Sequence, residues 1–148
     1  MPGRAAFEHF LSAQDDGGYE TALEELRDGK KRSHWMWFIF PQLEGLGSSA
    51  NARNFGLSGK AEARAYAEHE DLGERLYEAT EAMLDWAGTM SAEDILGATD
   101  AMKFRSSMTL FETCCSDREV FAQALDAFFD GERDTLTLEK LQSISAPT

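Results

Sequence analysis

The sequence lacks several features that would place the protein outside the cell or in a membrane. Its two cysteines, Cys114 and Cys115, are neighbours and cannot build the disulfide framework of a small secreted domain. No apolar run approaches the roughly 20 residues that a helix needs to cross a membrane. The segment from Met1 to Phe7 has no apolar stretch of the signal-peptide kind. These absences predict a cytoplasmic protein that does not contact a membrane.

Positive charge is also scarce, because 14 Lys and Arg stand against 27 Asp and Glu, for a net charge of −13. Binding to duplex nucleic acid needs a basic face, so this class is not expected. The cations are unevenly placed: residues 30–60 carry five against a single acid, Glu44, whereas residues 61–101 carry eleven acids against two arginines. Such a basic island can mark a site for an anionic ligand, or it can be a chance fluctuation of charge.

Material for a hydrophobic core is plentiful. The chain has 148 residues, of which 43% are hydrophobic, and it includes ten Phe and three Trp. That length fits one domain with a real core, and neither an internal repeat nor a linker is apparent. We therefore predict a single domain over residues 1–148.

Apolar residues recur at helical spacing through most of the sequence. The stripes, in chain order, are Phe7–Phe10–Leu11, Tyr19–Leu23–Leu26, Leu72–Leu76–Ala79–Met83–Ala87, Ala101–Phe104–Met108–Phe111–Cys115 and Phe121–Ala124–Leu125–Phe128. Ser91 with Asp94, and Ser116 with Glu119, have the spacing of capping boxes, and Asp134 can cap a last helix. These patterns predict an all-α, mainly helical, compact domain.

One apolar run resists assignment. Trp35–Phe40 contains six consecutive apolar residues and can be either a buried strand or a buried helical turn. Pro41 disfavours helical geometry at Phe40. The glycines and serines after it predict a loop from Gly45 to Gly59.

The same region carries the strongest sign of a binding site. Lys30, Lys31 and Arg32 directly precede Ser33-His34-Trp35-Met36-Trp37, so cations stand beside two indoles. This mixture suits phosphate contacts combined with stacking on a base or a sugar ring. The alternative is that the indoles belong to the core and the cations to a solvated turn.

A second candidate lies in the segment Asp100–Thr109. On a helix that buries Ala101 and Phe104, the residues Asp100, Lys103 and Ser107 share a different face. Asp100 would complement the helix dipole in the first turn. The alternative is an ordinary Asp–Lys pair three residues apart on a polar surface.

Other kinds of site find less support. His9, His34 and His69 are scattered and match no metal-ligand spacing, and Gly45-Leu46-Gly47 is too short for a dinucleotide fingerprint. No metal and no resident cofactor are therefore expected. Cys115 falls on the apolar stripe, while Cys114 is expected to be the more exposed thiol.

The segment Lys30–Gly47, KKRSHWMWFIFPQLEGLG, resembles the signature of the domain-of-unknown-function family 1810. Matching blocks are Phe10–Gln14, His69–Leu76, Asp100–Phe111 and Gly131–Leu141. Members sometimes carry the label calpastatin, but true calpastatins are disordered and poor in aromatic residues. The resemblance implies a mainly helical domain and no established activity. Glu70 and Asp71 depart from the family pattern, in which Pro commonly follows the histidine, so the local turn is in question.

A remoter similarity, to NADAR-type proteins that process ADP-ribose-linked compounds, rests on Trp35–Pro41 and Met102-Lys103-Phe104. The basic island beside Trp35 and Trp37, together with this similarity, predicts a protein that binds or hydrolyses a small anionic ligand of the ADP-ribose or NAD type. An enzyme of this kind would cleave an N-glycosidic or ADP-ribosyl bond. The expected catalytic residues are Asp100 and Lys103. The expected ligand-binding residues are Lys31, Arg32, His34, Trp35, Trp37, Gln42, Arg105 and Ser107. The alternative is a non-catalytic protein-interaction module.

Overall fold

The computed structural model of this chain describes residues 7–46 and 49–145 and confirms the all-α prediction. The element order is α1 (Glu8–Ala13), a kinked segment (Gln14–Gly18), α2 (Tyr19–Arg27), α3 (Met36–Ile39), α4 (Ala50–Phe55), α5 (Lys60–Glu68), α6 (Glu70–Leu84), α7 (Ala92–Leu96), α8 (Ala98–Cys114), α9 (Glu119–Phe129) and α10 (Thr135–Ser145). None of the helices in these ranges has the length and apolar character needed to span a bilayer.

Helix α8 is the centre of the domain, because α5, α7, α9 and α10 all pack against it. The predicted stripe is buried along α8: Phe104, Met108 and Phe111 have no measurable exposure, and Ala101 is 6% exposed. Its last member, Cys115, lies just beyond the end of the helix and is also 6% exposed. Burial of large side chains is the main favourable contribution to folding, about 1.5–3 kcal/mol for each. The apolar spacing in the sequence therefore identified the central helix.

The amino-terminal helices join through a sharp bend. Gly17 has a φ of +85°, a left-handed conformation that glycine adopts without strain. Gly18 has no room for a side chain, since a Cβ there would lie 2.7 Å from the ring of Phe38. The buried amide of Gln14 donates hydrogen bonds to the Phe38 carbonyl (2.6 Å) and the Tyr66 hydroxyl (3.2 Å). The bend is thereby fixed against α3 and α5.

Two of the predicted helix caps are confirmed and one is wrong. Ser91 and Asp94 form a reciprocal capping box at α7, and Asp134 accepts a hydrogen bond from the Thr137 amide at the start of α10. The box predicted for Ser116 does not form, because the residue before α9 is Arg118 and no side chain caps that helix. Tyr77 donates a 2.6 Å hydrogen bond to the Asp117 carbonyl, which holds this turn in a non-helical form.

The histidine at the point of departure from the family pattern starts a helix. His69 Nδ1 accepts hydrogen bonds from the amides of Asp71 (3.1 Å) and Leu72 (3.2 Å). A side-chain acceptor at this position satisfies amides that have no partner within the helix. The turn questioned from the sequence is therefore closed by the imidazole.

Trp35–Phe40 is a helical turn, so the strand alternative is excluded. Helix α3 spans Met36–Ile39 and ends where Phe40 leaves helical geometry before Pro41. The predicted loop from Gly45 to Gly59 is only partly correct, because α4 lies within it; Gly47 and Ser48 fall outside the described residues. Among the described residues the β pairing is limited to an isolated bridge between Leu43 and Leu57.

Candidate functional site

The two segments singled out in the sequence meet at the carboxylate of Asp100. Asp100 lies in the first turn of α8, and its Oδ2 is 2.9 Å from Lys31 Nζ. Its Oδ1 is 3.5 Å from Lys103 Nζ on the same helix. The three side chains are 19%, 10% and 27% exposed, respectively. Partial burial limits solvent screening, so these contacts are stronger than those of surface ion pairs.

Lys31 is held in place by a loop that the Glu25 carboxylate organises. Glu25 Oε1 accepts hydrogen bonds from the amides of Arg32 (2.7 Å) and Ser33 (2.9 Å) and from Trp35 Nε1 (2.9 Å). Its Oε2 accepts a further bond from the Ser33 hydroxyl (2.7 Å). The Lys31 amide adds a 2.8 Å bond to the Ile95 carbonyl at the end of α7.

These donors also set the acidity of Glu25. Burial by itself would raise the pKa of this carboxyl, but the hydrogen bonds from Arg32, Ser33 and Trp35 stabilise the ionised form more strongly. The pKa is consequently lowered from 4.5 to about 2. The loop that carries Lys31 therefore depends on an ionised carboxylate.

The two indoles next to the cations have different environments. Lys31 Nζ lies 5.3 Å from the ring centroid of Trp35, and Lys103 Nζ lies 4.9 Å from that of Trp37. Trp35 is 1% exposed and belongs to the core, whereas Trp37 is partly exposed. The structure thus leaves Trp37 as the indole that can stack against a ligand.

Trp37 and Lys103 open onto a cavity of about 420 Å³. Its other lining residues come from the loop after α3, from α8 and from the start of α10: Gln42, Leu46, Ser49, Thr99, Met102, Ser106, Asp134 and Leu136. Most of the surface area that lines the cavity is apolar. The polar groups on it are an ammonium, a carboxylate, an amide and hydroxyls. This composition and size are typical of small-molecule sites.

The carboxylate of Asp134 has a fixed position in this cavity. Its Oδ2 accepts hydrogen bonds from the hydroxyls of Ser106 (2.9 Å) and Thr137 (2.5 Å), as well as from the Thr137 amide (3.2 Å). The Asp134 amide in turn donates to the Thr109 hydroxyl at 2.9 Å. The start of α10 is therefore tied to one face of α8.

Arg105 strengthens the same connection instead of facing the cavity. Its Nε donates to the Glu132 carbonyl and its Nη2 to the Arg133 carbonyl, both at 2.9 Å. Arg133 is itself paired with Glu112. Arg105 was predicted to bind a ligand, but here its guanidinium donates to the backbone of the loop that carries Asp134.

The remaining predicted site residues lie away from the cavity. Arg32 pairs with Asp28 at 3.2 Å, and both side chains are about half exposed. His34 and Trp35 line a separate, smaller cavity of about 330 Å³ beside the bend at Gly17. Ser107, seven residues after Asp100 on α8, is fully buried, and its hydroxyl has no hydrogen-bond partner among residues 7–46 and 49–145.

Both thiols are buried, and the prediction that Cys114 is the more exposed of the two is wrong. Cys114 is 1% and Cys115 is 6% exposed. Burial raises the pKa of both thiols, and that of Cys115 reaches about 12. Thiols in this state are poor nucleophiles.

The sequence interpretation missed part of the cavity. Asp134 was recognised only as a helix cap, and Ser106 was not singled out, although it lies three residues after Lys103 on α8. A spacing of three residues places Lys103 and Ser106 next to each other on one helix face, and this spacing was the feature of the sequence that could have identified Ser106. Within residues 7–46 and 49–145, no group of three or more His, Cys, Asp or Glu side chains is arranged to hold a metal ion.

Comparisons with known proteins identify the family. Residues 4–141 match the family model described as "Protein of unknown function (DUF1810)". The conserved hypothetical protein Rv1873 from Mycobacterium tuberculosis shares 42% sequence identity with this chain, and its crystal structure superposes on it with a TM-score of 0.86. The similarity covers 90% of this chain and 94% of that one. No curated protein sequence matches. The chain therefore belongs to the DUF1810 family of proteins of unknown function.

Proposed function

We propose that this protein binds a phosphorylated nucleoside-like ligand, of the ADP-ribose or NAD type, in the cavity beside Trp37. The observation that supports this most directly is the Lys103 ammonium 4.9 Å from the Trp37 ring centroid, with both residues lining the cavity. An ammonium group is a common phosphate ligand, and an indole face stacks on bases and sugar rings. The weak similarity to NADAR-type proteins suggests the same ligand class.

The dimensions of the cavity agree with such a ligand. Its volume of about 420 Å³ falls within the range of about 300–1,000 Å³ for small-molecule sites. Met102 and Leu136 provide apolar surface, and Gln42 provides both a donor and an acceptor. A nucleoside has a flat ring, polar edges and hydroxyl groups that can use each of these.

The two lysines around Asp100 have separate roles in this proposal. Lys31 is the more buried and lies 2.9 Å from the carboxylate, so it is a structural partner. Lys103 is more exposed, and its contact with Asp100 is longer, at 3.5 Å. Its ammonium can therefore bind a phosphate with a smaller loss of its interaction with Asp100.

Binding, more than hydrolysis, is the function that this arrangement supports. Asp100 contacts both ammonium groups and is not among the lining residues. We therefore treat it as a positioning residue that sets Lys103 beside Trp37. If chromatography showed that the protein releases nicotinamide from NAD, it would have a catalytic role in addition to binding. The binding proposal does not require such a role.

A thermal-shift titration tests the binding proposal. ADP-ribose, NAD and AMP are titrated at low salt, with unphosphorylated adenosine and matched sodium chloride as controls. A ligand at 100 times its Kd adds about 2.7 kcal/mol, which for a chain of this length is a rise in Tm of about 5–10 °C. The proposal expects this rise with the phosphorylated compounds. Unchanged melting with all three would contradict it.

A non-catalytic interaction module is the second candidate, and the exposed apolar side chains beside the cavity favour it. Met102 and Leu136, which line the cavity, are 55% and 65% exposed. Exposed apolar groups at the edge of a concave site are common in protein interfaces. The two candidates differ in their response to nucleotides: the interaction module predicts no thermal shift for the unmodified protein or for Lys31→Ala and Lys103→Ala.

A further inference from the structure

We infer that the ligand of this cavity carries hydroxyl groups at the end opposite its phosphate, and that Asp134 is the residue that recognises them. This inference rests on the proposed function and adds the orientation of the ligand and the chemical class of its second end. It follows from the opposite charges of Asp134 and Lys103, which line the same cavity.

The carboxylate of Asp134 selects for hydrogen-bond donors. The three donors within the protein, from Ser106 and Thr137, all bind the same oxygen, Oδ2. They fix the plane of the carboxylate and leave Oδ1 without a donor among the described residues. An ionised carboxylate has only acceptor positions, so a ligand must present hydroxyl or amine hydrogens to it. A phosphate near this carboxylate would be repelled.

The neighbours of Asp134 favour hydroxyl groups over a charged amine. Ser106 donates either to Asp134 (2.9 Å) or to the Met102 carbonyl (3.2 Å), and its oxygen retains acceptor capacity. The amide of Gln42 lines the same cavity. Uncharged groups that both donate and accept hydrogen bonds complement hydroxyl groups, which also do both. An ammonium group in this cavity would require more negative charge than one carboxylate that three donors already share.

The spacing along α8 separates the two ends. The Lys103 ammonium is drawn towards Asp100, in the first turn, while Asp134 is fixed to Ser106. Asp100 and Ser106 are six residues apart on the helix, which is about 9 Å along its axis. A phosphorylated pentose, with the phosphate on its 5′ carbon and hydroxyls on its 2′ and 3′ carbons, can extend between these two positions.

Isothermal titration with AMP and 2′,3′-dideoxy-AMP tests the inference, because these probes differ only in the two hydroxyl groups. The unmodified protein is expected to bind AMP at least tenfold more tightly, a difference of about 1.4 kcal/mol. In Asp134→Asn the ratio of the two affinities should fall to about 1, with little change for the dideoxy compound. Asn retains the oxygen that caps α10, so the fold is expected to persist.

Asp117→Asn is the matched control, since Asp117 is exposed beyond the far end of α8 and the substitution removes the same charge. It should retain the ratio of the unmodified protein. Equal affinities for the two probes in the unmodified protein, or an unchanged ratio in Asp134→Asn, would overturn the inference and leave the proposed function standing. Failure of AMP, NAD and ADP-ribose to bind at all would overturn both. The comparison in the unmodified protein remains decisive even when Asp134→Asn does not fold.

Discussion

The Lys31 ammonium lies 2.9 Å from the Asp100 carboxylate, although the two residues are far apart in the sequence. This contact joins the loop after α2 to the first turn of α8. Only 10% and 19% of the two side chains are exposed, so water screens the pair weakly. The pair therefore connects the two segments that the sequence marked as candidate binding regions.

A double-mutant cycle measures the strength of this connection. Lys31→Met and Asp100→Asn are each expected to lower the free energy of unfolding by about 1–3 kcal/mol, because each leaves a partly buried charge with fewer partners. The double variant should lose less than the sum, with a coupling energy of at least about 0.5 kcal/mol. Urea unfolding provides all four values.

The control cycle uses Arg32→Met and Asp28→Asn. Their ion pair has a similar distance, 3.2 Å, but both side chains are about half exposed. Solvent screening should keep its coupling energy within about 0.5 kcal/mol. Equal coupling in the two cycles would mean that the Lys31–Asp100 contact has no special structural role.

The Glu25 carboxylate predicts a specific loss of stability in acid. Its pKa is lowered from 4.5 to about 2 by the donors of the loop, so the unfolded chain binds a proton more readily than the folded one. The stabilisation is complete above the unfolded pKa and is lost as the pH falls from there to about 2. The free energies of unfolding of the unmodified protein and Glu25→Gln should therefore differ most near neutral pH.

This difference is measured by urea unfolding at about pH 7 and about pH 3. At the lower pH, linkage predicts a smaller difference in free energy of unfolding between the unmodified protein and Glu25→Gln. Glu24→Gln, an exposed neighbour on α2, is the control and should follow the unmodified protein at both values. If the difference in free energy of unfolding between the unmodified protein and Glu25→Gln is the same at both pH values, the loop does not depend on an ionised carboxylate.

Much of the fold was predictable because its determinants are local. The apolar stripe of α8, the capping box of Ser91 and Asp94, and the cap at Asp134 all arise from residues within a few positions of one another. Helix α4 was missed because a loop interpretation gave weight to Gly45 and Gly59. A short helix between glycines carries too few apolar positions to show a period.

The candidate site was predictable in part, and for a physical reason. The cations and indoles near Lys31 and the polar face of Asp100 and Lys103 were visible in the sequence. Trp35 could not be distinguished from Trp37 there, since the burial of Trp35 and its hydrogen bond to Glu25 of α2 arise only in the folded chain. The contribution of Asp134 was hidden for the same reason, because the fold of the loop before α10 brings it to α8.

Substitutions at Ser107 and Ser106 test whether the buried Ser107 hydroxyl contributes to stability. The Ser107 hydroxyl is fully buried and has no partner in the part of the chain that the structure describes, so Ser107→Ala should leave stability unchanged or raise it by up to about 1 kcal/mol. Ser106→Ala, one position earlier, removes a bonded hydroxyl and should be destabilising by about 1 kcal/mol. Thermal melts of both variants check this order. A clear loss of stability in Ser107→Ala would show that its hydroxyl has a partner in solution.

The affinity of Lys103→Met for ADP-ribose, measured by isothermal titration at low salt, is the most direct test of a ligand site at Lys103 and Trp37. Lys60→Met removes an equal charge from an exposed position at the start of α5 and is the control. A phosphate bound by Lys103 predicts at least a tenfold loss of affinity, about 1.4 kcal/mol, in Lys103→Met and little change in Lys60→Met. Equal affinities of the unmodified protein and Lys103→Met would contradict a phosphate site at this residue.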